Sequence, residues 1–180
     1  GTYMQTRQLA ATALMAALLA LCAWLTIPTV VPFTMQTFGI FLAVGLLGGK
    51  LGSLAVGVYL LLGIVGLPVF SGFSGGIGTL AGVTGGYLLG FLLIALVMWL
   101  AERLFGTGTA VFVLSGLVGL AVCYTFGTAW FLVLYTRSTG PIGLWSVLWS
   151  CVLPFVIPDL CKLALALVLR RRLRRALPAG

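Results

Sequence analysis

The sequence predicts an all-α, polytopic membrane protein: a single domain over residues 1–180 built as a six-transmembrane-helix bundle with both termini cytoplasmic. Three observations predict it. First, 62% of the 180 residues are hydrophobic and only 7% are charged, whereas a soluble domain carries about 25% charged residues. Second, ten basic and two acidic side chains cannot cover a water-facing surface of this size, and the mean hydropathy is +1.25. Third, the apolar residues fall in runs bounded by Gly, Pro or charge, and a helical span takes about 20 apolar residues.

The first span covers residues 9–27 and is closed by Pro28 and Pro32, neither of which can donate a backbone N–H. It is long enough to cross and other runs follow it, so it reads as a span and not as a cleavable leader. The second, 35–47, ends in Gly48-Gly49-Lys50, and the third, 51–65, follows at once, so the two read as an antiparallel hairpin with a tight turn at Lys50. After Pro68, seven glycines lie between Val69 and Gly86, too many for a lipid-facing helix interior. The fourth, fifth and sixth spans are 87–104, 109–134 and 146–169.

Cations orient the bundle, because positively charged loops stay cytoplasmic. With six spans, Arg7, Lys50, Arg103 and the terminal arginines Arg170, Arg171, Arg172, Arg174 and Arg175 share one side, and Arg137 stands on the other. Both termini are therefore expected to be cytoplasmic, with the segments around Pro28 to Thr34 and Val69 to Gly86 facing outward. The terminal arginines read as a membrane-flanking cluster in contact with the lipid bilayer, not as a nucleic-acid face.

Several chemistries are excluded. Cys22, Cys123, Cys151 and Cys161 all sit in apolar runs without a CxxC pair, and there is no His, so they read as buried small hydrophobes and not as a metal site. Gly45-Leu46-Leu47-Gly48-Gly49-Lys50-Leu51 has the wrong spacing for a phosphate loop and no Ser or Thr after the Lys. An integral-membrane transferase would need an acid, base or metal site, for which one Asp and one loop Glu are a poor supply.

Polar groups inside the apolar runs carry the functional reading. Asp159 and Lys162 in Pro158-Asp159-Leu160-Cys161-Lys162 are spaced i, i+3 and share one helix face. Asp159 lies about 16 Å in from Arg170 at 1.5 Å per residue, where a charge costs about 2.5–3.5 kcal/mol. The pair is either a structural ion pair or a ligand-binding group, and Pro158 is expected to kink the helix beside it. In the Gly-rich segment, Gly75, Gly76 and Gly85 let backbone approach a small ligand, Thr84 is polar, and Phe70 and Tyr87 supply apolar walls. Phe33, Gln36 and Thr37 could cover a pocket, with Thr34 as the alternative, a helix N-cap. Ala13 and Ala17, with Ala16 and Ala20 on adjacent rows, permit close helix approach.

Taken in order, these segments resemble one family over nearly the whole chain: BioY, the biotin-binding S components of energy-coupling-factor transporters. The matching stretches are Ala13–Ala17, Val31-Pro32-Phe33-Thr34-Met35-Gln36-Thr37, Leu61–Phe70, Gly75-Gly76, Gly82–Phe91 and Pro158–Lys162, with Val83 where the family commonly has Pro. The resemblance implies a multi-pass protein of the plasma (inner) membrane of a prokaryote, with six helices, an outer substrate pocket and a lid between the first two spans. It implies association with a membrane T component and two ATPase subunits through the first-span alanines, and toppling in the membrane to release the vitamin. It also implies that Asp159 and Lys162 bind biotin, with no cofactor of the protein's own. Arg137 is one candidate for the biotin carboxylate. An S component for another vitamin is the alternative within the same class.

Overall fold

The structure, a computed structural model, describes residues 6–27 and 33–176, without the side chains of Ile27, Phe33 and residues 174–176. Its elements are α1 (Thr6–Trp24), strands β1 (Thr26–Ile27) and β2 (Phe33–Thr34), α2 (Gln36–Ile64), a 3-10 turn (Ser71–Phe73), α3 (Ile77–Leu80), α4 (Gly85–Phe105), α5 (Thr109–Ser138), α6 (Leu144–Cys151) and α7 (Leu153–Ala176). Among the described residues, five stretches are long and apolar enough to cross a membrane: Thr6–Trp24, Gln36–Ile64, Gly85–Phe105, Thr109–Ser138 and Leu144–Leu173. Helices are the solution because each satisfies its own backbone groups where no water is present. The outward faces agree with that solvent: Leu14 (70%), Leu61 (61%), Leu114 (62%) and Ile157 (72%) are all exposed.

The second stretch is not one straight helix. Gly48, at φ 86 and ψ 168, breaks it in a backbone region that is essentially glycine-only, so the turn lies at Gly48 and not at Lys50, which is helical. The two halves lie side by side, since a Cβ on Gly52 would fall 2.8 Å from the Cα of Val44. The restarted helix needs an acceptor for its first N–H groups, and Glu102 of α4 provides one: Gly49 N–H donates to Glu102 Oε2 at 2.6 Å.

The last span differs from expectation in the same way. The break falls at Val152, with φ −122 and ψ −59, not at Pro158, which stays inside α7. Pro154 explains the position: it sits in the first turn of the restarted helix, where a missing N–H leaves no bond unmade.

Packing places α2 at the centre, against α1, α4 and α7, and pairs α4 with α5. The α4–α5 contact is close because small residues line it. A Cβ on Gly90 would meet Cys123 Sγ at 2.7 Å, and one on Gly127 would meet the Tyr87 ring at 2.1 Å. At the Arg-rich end Arg170 is buried and turns inward: it donates to the Thr107 carbonyl at 2.5 Å and lies 4.8 Å from the Phe112 ring centre. It is therefore part of the bundle's closure, while Arg171 and Arg172 are exposed.

Between α2 and α4 the Gly-rich segment folds back onto the bundle. Gly76 N–H donates to the Gly63 carbonyl at 2.6 Å. Phe70 is buried over Gly63 and meets the Tyr59 ring edge-on at 5.7 Å. From the other side, Trp24 stacks on Phe73 at 5.2 Å and donates to the Pro68 carbonyl at 2.8 Å. A short antiparallel β1–β2 pair, which the hydropathy pattern gives no reason to expect, lies between α1 and α2 in the chain.

Candidate ligand-binding site

Asp159 and Lys162 come together on one face of α7, as their spacing requires, with Lys162 Nζ 3.2 Å from Asp159 Oδ1. Both are almost fully buried, at 3% and 6% exposure, so their charges need partners beyond each other. Those partners come from other helices. Thr37 Oγ1, at the start of α2, donates to Asp159 Oδ1 at 2.8 Å, and the Tyr124 hydroxyl of α5 donates to Oδ2. Lys162 Nζ donates to the Thr34 carbonyl at 2.5 Å. A carboxylate offers roughly four acceptor positions, and three are engaged here, which leaves room on Oδ2 for one more donor.

The network continues through α2. The Thr34 hydroxyl donates to Gln36 Oε1 at 2.8 Å and accepts from Gln36 N–H at 3.2 Å. It thus serves the helix start in the manner of a cap, although the formal cap residue is Met35. Gln36 Nε2 donates to the Tyr59 hydroxyl at 2.7 Å. On α4, Tyr87 shares a 3.2 Å hydrogen bond with Thr128, which fixes its ring.

Two cavities adjoin this network. The first, of about 410 Å³, is walled by Asp159, Lys162, Thr37, Tyr124, Tyr87 and Phe155, among others. The second, of about 460 Å³, is walled by Gln36, Phe70, Ser71, Ser74, Thr79 and Thr84. Tyr87 and Phe91 line both and so join them. With a buried ion pair at one end, aromatic rings in the middle and hydroxyls at the other, the arrangement suits an elongated ligand with a polar head.

Of the residues chosen from sequence, Asp159, Lys162, Thr37 and Tyr87 meet at the first cavity, and Gln36, Phe70, Thr84 and Tyr87 at the second. Phe33 is in β2, and its side chain lies outside the described residues. Gly75, Gly76 and Gly85 line neither cavity. They let the segment pack on itself: a Cβ on Gly75 would fall 2.1 Å from the Leu67 carbonyl oxygen, one on Gly85 1.6 Å from that of Leu80, and Gly76 has φ +89. Arg137 is exposed near the end of α5 and lines neither cavity. Ala13 and Ala17 are exposed on α1, whereas Ala16 and Ala20 are buried. Cys161 is exposed, unlike the other three cysteines, because two residues past Asp159 is about 200° around the helix.

Sequence reasoning missed Tyr124, the Thr34 carbonyl, Phe91 and Phe155. Tyr124 had a signal, since a tyrosine within a span needs a partner for its hydroxyl; the partner's identity had none.

Comparison with known proteins gives a consistent result. The model of the BioY family matches residues 1–179. A relative named biotin transporter BioY, from Thermotoga maritima, is 42% identical over 173 residues, covering 94% of this chain and 96% of its own. A probable biotin transporter BioY from Pyrococcus horikoshii is 36% identical over 172 residues, covering 95% and 98%. Among solved structures, the S-component for biotin from an ECF-type ABC transporter superposes with a TM-score of 0.81 at 30% identity, covering 96% of this chain and 95% of that one.

Proposed function

The chain belongs to the BioY family, and from that premise we propose that it captures biotin at the outer face of a prokaryotic plasma membrane and delivers it inward. It is a biotin-binding, multi-pass transmembrane subunit of a vitamin uptake transporter and not an enzyme. The partner modules are those of an ECF-type transporter; in our reading they are a membrane T component and two ATPase subunits, with Ala13 and Ala17 on the contacting face of α1.

One observation carries the site assignment: a buried carboxylate and ammonium, fixed by groups from α2 and α5, line a pocket shared with aromatic side chains. Biotin's ureido head has two N–H donors and one carbonyl. The open acceptor position on Asp159 Oδ2 suits a ureido N–H, and the Lys162 ammonium suits the carbonyl. Tyr87, Phe91 and Phe155 suit the sulfur ring as apolar walls. Isothermal titration of detergent-purified protein with biotin tests the reading, which requires submicromolar binding; no heat of binding at micromolar biotin would defeat it.

The break at Gly48 supports two crossings within Gln36–Ile64, hence six spans with both termini cytoplasmic. Single cysteines at Lys50 and Ser74 in a cysteine-free background test this in intact cells. An impermeant maleimide is expected to label only position 74, and labelling of position 50 alone would invert the topology.

A further inference from the structure

We propose that the second cavity is a subsite for an uncharged, hydrogen-bond-donating tail, so that the substrate class extends from biotin itself to neutral biotin amides. The inference rests on the reading above, with the ureido head at Asp159 and Lys162, and asks what receives the other end of the molecule. That end leaves the first cavity past Tyr87 and Phe91, the two residues shared by both, and enters the chamber of Gln36, Ser71, Ser74, Thr79 and Thr84.

A carboxylate there has no cation to meet. Among the described residues, Lys162 is the one cation that lines either cavity, and it is already committed to Asp159 and the Thr34 carbonyl. Residues 28–32, Pro-Thr-Val-Val-Pro, contain no cation either. The Asp159–Lys162 pair is neutral as a unit, so a carboxylate adds an unbalanced charge to a partly desolvated site.

The hydroxyls decide the sign of the preference. Each has one hydrogen and two lone pairs, and most of the hydrogens are spent. Ser74 Oγ donates to the Ser71 carbonyl at 2.7 Å, and Thr79 Oγ1 donates to the Gly75 carbonyl at 3.0 Å. Thr26 Oγ1 donates to the Ala23 carbonyl, so the 3.2 Å contact between Thr26 and Ser71 hydroxyls uses the hydrogen of Ser71. Gln36 gives one amide hydrogen to Tyr59, and its oxygen accepts from Thr34. Ser71, Ser74 and Thr79 therefore present lone pairs to the chamber, beside two donors, the second Gln36 amide hydrogen and the Thr84 hydroxyl. A primary amide, which both donates and accepts, matches both sets; a carboxylate, which only accepts, leaves the three hydroxyl lone-pair sites unanswered. The start of α4 does not reverse this, because Gly85 N–H and Tyr87 N–H are bonded to Gly82 and Thr84 carbonyls at 3.0 and 3.1 Å.

The test is calorimetric titration of the intact, detergent-purified chain with biotin and, in parallel, with biotinamide. Biotinamide is expected to bind as tightly as biotin or more tightly. A biotinamide Kd more than threefold above that of biotin would place the carboxylate against Lys162 and overturn the assignment. Biotin titrated alone reads the parent proposal: if it does not bind, the site assignment fails and this inference fails with it. If it binds and the amide is weaker, only the tail subsite is wrong.

Discussion

Replacing Asp159 by asparagine separates what the carboxylate does for the ligand from what it does for the fold. Three donors converge on it: the Thr37 hydroxyl, the Lys162 ammonium and the Tyr124 hydroxyl. Asparagine keeps one acceptor oxygen and replaces the other with an N–H₂ donor. The two hydroxyls can rotate to accept from that group, and Lys162 keeps the Thr34 carbonyl, so the chain is expected to remain folded. The ligand loses a hydrogen bond to a charged acceptor, worth about 1.5–3 kcal/mol, which at 1.4 kcal/mol per tenfold is a roughly 10- to 150-fold rise in Kd for biotin. Stability should fall too, because removing one partner strands the buried ammonium, at a cost of up to about 3–5 kcal/mol. Asp159→Asn combined with Lys162→Met removes both charges. The double variant should recover much of the lost thermal stability while biotin binding stays weak. Titration calorimetry and thermal unfolding in detergent measure the two effects separately. A single variant that is well folded and binds biotin within twofold of the parent would refute the reasoning.

Three further outcomes are expected. Tyr124→Phe removes one of the three donors to Asp159, so biotin affinity should fall by about tenfold, the worth of one charge-assisted bond; an unchanged Kd in the same titration would show that the hydroxyl does not position the carboxylate. Gly48→Ala forces a side chain into a glycine-only conformation at about 1–3 kcal/mol, and a Cβ there would sit 3.3 Å from Glu102 Oε1. The unfolding temperature should drop by several degrees, at about 2–4 °C per kcal/mol, and no drop would mean that the break is not held at Gly48. Ala13→Leu with Ala17→Leu alters an exposed face of α1, so co-purification with the energising module should be lost while biotin binding persists; retained co-purification would move the contact elsewhere.

Much of this protein is legible along the chain because hydropathy and helical period are local. A run of apolar residues is the same run wherever its helix packs, so the membrane class and the approximate spans follow from composition. The i, i+3 spacing of Asp159 and Lys162 alone guarantees a shared face. The Gly-rich segment was readable as non-helical but not as ordered, since the Trp24–Phe73 stack and the Phe70–Gly63 contact join residues that no local rule connects. The positions of the breaks are not legible along the chain for a related reason. Glycine and proline mark where a helix can stop, and the neighbours decide which one does: Glu102 rewards a restart at Gly49, and Pro154 is accommodated in a first turn while Pro158 stays within α7.

The sequence by itself determined that the chain lives in lipid, that it is helical, and that one helix carries an acid and a base on the same side. Only the tertiary structure decided what surrounds that pair. Thr37 and Tyr124 stand 122 and 35 residues from Asp159, and they reach it because the glycines between α4 and α5 allow near contact and α2 runs through the centre. Hydrogen-bond direction in the adjoining chamber was likewise settled by folding, since a hydroxyl presents a hydrogen or a lone pair according to which carbonyl lies beside it.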